Sequence, residues 1–198
     1  MSDPSTAADH RADDAPPFVG LHERARRVGE WVWIERRVFE MFGRWAGTTG
    51  RPAVDVHFGE MSRRHGWHAE LFFDRLPELS SVDADGLVRS PGPATEAFIV
   101  AAAAPPGPAV LGPLVAAYRV LLPVLLTDYR DAAESLSPVA EPSLRRWLDI
   151  VVRDDVEELC HGLELLDHLI GDPDDVRAAA ACQVDLELLA LATGRLAR

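Results

Sequence analysis

At 198 residues with 47% apolar side chains, the chain can build one compact domain with a core of its own. Its 32 acidic and 20 basic residues leave a formal charge of −12, which repels phosphate backbones and anionic lipid surfaces. Neither nucleic acid nor a membrane is therefore expected as a partner. All the basic residues are Arg and Asn is absent, a usage expected of a GC-rich genome.

Residues 1–20 are small, polar and acidic and read as a disordered tail ahead of a single helical domain over 21–198. They lack the basic start and apolar stretch of a secretory signal, so Cys160 and Cys182 are expected as free thiols in a cytoplasmic protein. Apolar spacing predicts a first helix over 21–46 along Val28, Val32, Glu35, Phe39 and Phe42, stopped by Gly47-Thr48-Thr49-Gly50. A second is predicted over 52–76, with Pro52 in its first turn and Val54, Phe58, Met61, His65, His68 and Phe72 on one stripe. Residues 78–93 are rich in Ser, Asp, Gly and Pro and read as a loop, with a short apolar helix after it over 94–104. The third long helix is predicted over 109–137, through Leu114, Tyr118, Leu121, Leu125 and Asp128, with a kink expected at Pro123. The most apolar region, residues 98–126, is broken by five prolines and carries Arg119, so it lacks an uninterrupted run of about 20 apolar residues and reads as core rather than as a membrane span. A fourth helix is expected from Pro142 to about Ile170, along Val151, Asp154, Glu158, His161 and Leu165. A fifth follows to about Leu196, opened by Asp172 as N-cap, Pro173, and acidic Asp174 and Asp175. Alternating strand patterns are absent, and the class is all-α. Short links after the first and third long helices predict two antiparallel hairpins joined by one long crossover.

Each long helix interrupts its apolar stripe with a polar group, and an unpaired polar group in a core costs several kcal/mol. Glu35, His65, His68, Glu158 and His161 are the candidates for a common site, because residues equally far from a hairpin turn face one another. The pairs His65/His68 and Glu158/His161 each place two ligand types three residues apart on one helical face. Imidazole with carboxylate suits iron or manganese, and zinc equally. Tyr118, Arg119 and Asp154 are expected to support these ligands from behind. Alternatively Arg119 neutralises a carboxylate and no metal is needed.

This arrangement resembles the ferritin-like superfamily, whose di-metal members carry Glu on helix 1, Glu-x-x-His on helix 2, Glu on helix 3 and Glu-x-x-His on helix 4. Glu35 matches the first, and Glu158 with His161 the fourth. His65 stands where helix 2 would carry Glu, with His68 as its His, and Tyr118 lies near the level of the missing helix 3 carboxylate. Residues 65–79 also resemble ferritin-like proteins of GC-rich bacteria. The resemblance implies a ferritin-like four-helix bundle with an additional C-terminal helix. It also implies a metal-dependent oxidase or oxygenase acting on a small-molecule substrate. The competing expectation is a non-catalytic bundle with a buried polar layer, acting in partner binding or as a homodimer. A cysteine hydrolase is disfavoured, since Cys160 falls mid-helix with nothing to activate it.

Overall fold

The computed structural model of the protein describes residues 20–76 and 83–197; the expected tail and the start of the 78–93 loop lie outside them. Seven helices and no strand are present among the described residues. They are α1 (Leu21–Trp45), α2 (Pro52–Phe73), α3 (Ala84–Leu87), α4 (Pro93–Ala103), α5 (Leu111–Ser135), α6 (Pro142–Leu169) and α7 (Pro173–Thr193). The expected long helices are all found, with ends within a few residues of those predicted from spacing. The loop expected over 78–93 instead contains α3.

α1 and α2 form an antiparallel hairpin whose connection turns at Gly47 and Gly50, both at positive φ, where a side chain would be strained. Across it, Ser62 donates to the Phe39 carbonyl at 2.9 Å. α5 and α6 form a second pair, and Arg64 ties α2 to α6 by donating to the Asp154 carbonyl at 3.0 Å. α7 is capped as its sequence predicts: the Asp172 carboxylate accepts from the backbone N–H groups of Asp174 and Asp175. It packs on α4 and α5, and Thr95 of α4 donates to the Leu196 carbonyl just past its end. α3 lies over α1, its Leu87 carbonyl so close to Gly29 that a Cβ there would stand 2.1 Å from it.

The core between these helices is aromatic and aliphatic. Trp31, Phe42, Phe58, Phe72, Tyr118 and Tyr129 are fully buried with Leu114, Leu121 and Leu122, each such aliphatic contributing about 1.5–3 kcal/mol on burial. Leu111–Ser135 has the length and hydropathy of a membrane-crossing helix, yet 78% of its apolar window is buried inside the bundle, as expected of a core helix. Within α5 the turn Ala116–Leu121 is a π-helix rather than a simple kink at Pro123. Pro123 has no N–H to give, and its ring would collide with the carbonyl four residues back. A widened turn immediately before it accommodates both problems.

Candidate metal centre

Four helices send polar side chains into one layer of this core. α1 supplies Glu35, α2 His65 and His68, α5 Tyr129, and α6 Asp155 and Glu158, all of them essentially without solvent exposure. Glu35 is fully engaged. Its Oε2 lies 2.6 Å from His65 Nδ1, and its Oε1 accepts from the Tyr129 hydroxyl. The other nitrogen of His65, Nε2, lies 3.4 Å from Glu158 Oε1. His68 is held in a similar way: its Nε2 is 3.2 Å from Asp154 Oδ2 at the edge of the layer, and its Nδ1 is 3.6 Å from Asp155 Oδ1. Phe42 stacks on the His65 ring at 5.4 Å with the planes 8° apart, fixing its orientation.

Each imidazole thus has an outer nitrogen held by a carboxylate and an inner nitrogen facing another carboxylate. The inner atoms lack hydrogen-bond partners: His65 Nε2, His68 Nδ1, and both oxygens of Asp155 and Glu158. Six buried polar atoms without a close hydrogen bond in one core layer create a demand that a proton on His65 shared with Glu158, or a bound cation, would meet. Donor atoms of Glu35, His65 and His68 fall within 4.8 Å of one another, as do those of His65, Asp155 and Glu158. Donors about 2.1 Å from one ion lie about 3.0–3.4 Å apart, close to the observed 3.4 and 3.6 Å. Each of these two buried triads is therefore geometrically able to hold a divalent metal ion.

His65 and His68 supply positive charge against the carboxylates of the layer. Burial works against the charge on His65, but the flanking Glu158 and Glu35 raise its pKa well above the ordinary value. Burial likewise opposes the Glu35 charge, yet His65, His68 and the Tyr129 hydroxyl hold its pKa below the usual carboxylate value. Asp155 has weaker support: burial pushes it up to about 7 against the pull of His68 and His65. Tyr129 is raised by burial and by Glu35, so it stays a hydroxyl donor.

Of the residues expected from the sequence, Glu35, His65, His68 and Glu158 are brought together, and Asp154 supports His68 as anticipated. His161 is not brought in. It is exposed, because Glu158 faces the core and a residue three positions on turns past the edge of the buried face. The residue three positions earlier, Asp155, takes that place. Arg119 also lies elsewhere, lining a hollow between α5 and α7, so it does not neutralise the layer. Tyr118 is buried near Glu158, but its hydroxyl is bound to His57 Nε2 at 2.6 Å. Asp155 and Tyr129 were missed. Asp155 was masked by the acidic run Asp154, Asp155, Glu157 and Glu158, although its spacing of three from Glu158 carried the signal. Both cysteines are free thiols, as expected. No protein family, curated protein or solved structure matches this chain.

Proposed function

We propose that the protein is a metal-binding bundle of the ferritin-like type, in which His65 Nε2, Asp155 and Glu158 hold an iron or manganese ion, with zinc as the alternative, and His68 Nδ1 faces Asp155 beside them. The observation that carries this reading is the buried triad of His65, Asp155 and Glu158, whose donor atoms lie within 4.8 Å of one another and make no close hydrogen bond on their inner side. Glu35 and Asp154 fix the ring orientation of the two histidines and raise the basicity of the inner nitrogens, and Tyr129 fixes Glu35 in turn. The two hairpins α1/α2 and α5/α6, joined by a long crossover, support the ferritin-like assignment.

A bound iron or manganese ion supplies one-electron chemistry toward dioxygen or peroxide. The protein's part is to bind and orient the ion and to exclude water, since every ligand is buried. The same enclosure limits a substrate that reacts at the ion to roughly the size of dioxygen or peroxide. Elemental analysis of protein purified without chelator tests the reading. About one equivalent of iron, manganese or zinc is expected, falling below about a tenth in Asp155→Asn with Glu158→Gln and unchanged in His161→Ala. Less than about a tenth of an equivalent in the unmodified protein, even after reconstitution, overturns it.

A second reading rests on His65 lying between Glu35 and Glu158. A protonated imidazole there neutralises much of the layer without metal, giving a non-catalytic structural bundle. The same elemental analysis separates the two.

A further inference from the structure

The last helix, α7, is apolar on two sides. Its inward face buries Ala179, Cys182, Leu186 and Thr193 against the bundle. Its outward face carries Val176, Val184, Leu188 and Leu191 in solvent, the last two 63% and 78% exposed, with exposed Ala180 between them. Four of the ten large apolar side chains exposed among the described residues lie on this one helix, so the patch is concentrated rather than scattered. Helices that are apolar all round are buried in their working state. Leu191 also borders a hollow of about 440 Å³ whose wall includes Val120, Pro123 and Val124 of α5, which extends the apolar surface beyond the helix.

We propose that α7 is the interface of a homodimer, packed antiparallel against α7 of a second copy about a two-fold axis level with residue 182. The order of residues on the outward face selects this occupant. Two antiparallel helices related by that axis bring Leu188 level with Val176, Val184 with Ala180, and Leu191 with Pro173, each match occurring twice. Every large outward side chain then meets an apolar one. Arg177, the one basic residue in α7 and paired with Asp174 of its own helix, comes level with Glu187 of the second copy and within a turn of its Asp185, so that it can bridge the two copies. An isologous contact requires such self-complementarity, whereas a foreign helix or a lipid surface does not. The acidic flanks Asp185 and Glu187 also disfavour an anionic membrane.

Sedimentation equilibrium of the full chain at tens of micromolar tests the proposal. The expected mass is twice 21.7 kDa. Leu188→Glu, at an exposed position that leaves the core untouched, is expected to weaken dimerisation at least tenfold and yield the single-chain mass with unchanged helical circular dichroism. Val184→Glu is expected to do the same, and it decides the matter if the Leu188 variant loses helix. Val139→Glu, at a fully exposed apolar residue outside α7, is expected to leave the dimer intact. A monomeric unmodified protein, including one that instead binds lipid vesicles, overturns the proposal. So does a dimer that survives both α7 substitutions.

Discussion

Replacing Asp155 by Asn is expected to make the metal-free protein more stable while removing a ligand. Burial raises this carboxyl from 3.8 to about 7, so its proton is held more tightly in the folded than in the unfolded chain. Such a group favours folding below the unfolded value, and its contribution is lost as the pH rises from about 4 to 7. At pH 8 the carboxylate must be carried buried, and a rise of about three pH units corresponds to about 4 kcal/mol at 1.36 kcal/mol per unit. Asn removes that cost but places an amide among atoms that already lack partners, returning about 1–3 kcal/mol. The net gain in the metal-free protein is therefore about 1–3 kcal/mol at pH 8, or a few degrees in Tm. At pH 5 wild-type Asp155 is protonated when folded, and the advantage of Asn shrinks by about 2–3 kcal/mol. Urea unfolding with excess chelator at the two pH values measures both quantities. An Asn variant less stable than wild type at pH 8, or a difference that does not change with pH, refutes the assignment of Asp155 as a buried, poorly compensated carboxyl.

Two further substitutions test the parts around the centre. Glu35→Gln retains an acceptor for His65 Nδ1 but removes the charge that raises the basicity of its inner nitrogen. A 10–100-fold loss of metal affinity is expected in competition with a chelator, and unchanged affinity would show that Glu35 does not act through His65. Gly162→Ala places a Cβ 2.3 Å from the Tyr118 ring, which is walled in by the core. A loss of about 1–3 kcal/mol in thermal or urea unfolding is expected, and a neutral result would show that the ring has room to move.

The helices were legible because apolar spacing and punctuation agree along most of the chain. Gly47 to Gly50, Pro138 and Gly171 all fall at or just beyond helix ends. α3 was not legible, since four residues are too few to show a period, and what places Leu87 is the bare backbone of Gly29 rather than any local preference. In the polar layer, the residues of α1 and α2 were read well because a short hairpin makes distance from the turn a good guide to height. On α6 the same counting identifies Glu158 but pairs it with His161, which is exposed, rather than with buried Asp155. Asp155 and His161 are equally spaced from Glu158, and only the direction of the buried face distinguishes them. Tyr129 was hidden by the π turn in α5, which breaks the phase on which the counting relies.

That turn has a meaning for how the chain can vary. A π segment is in effect one residue spliced into an α-helix, and one residue corresponds to about 100° of rotation. Deleting a single residue between Ala116 and Leu121 would leave a plausible helix of nearly the same length and composition. Everything beyond the deletion would nevertheless be turned by more than a quarter of a revolution, carrying Tyr129 away from Glu35 and Asp128 from its bond to the Trp31 indole. Related chains that kept or lost this one residue would look almost identical when read as helices, yet they would differ in whether the core layer is complete.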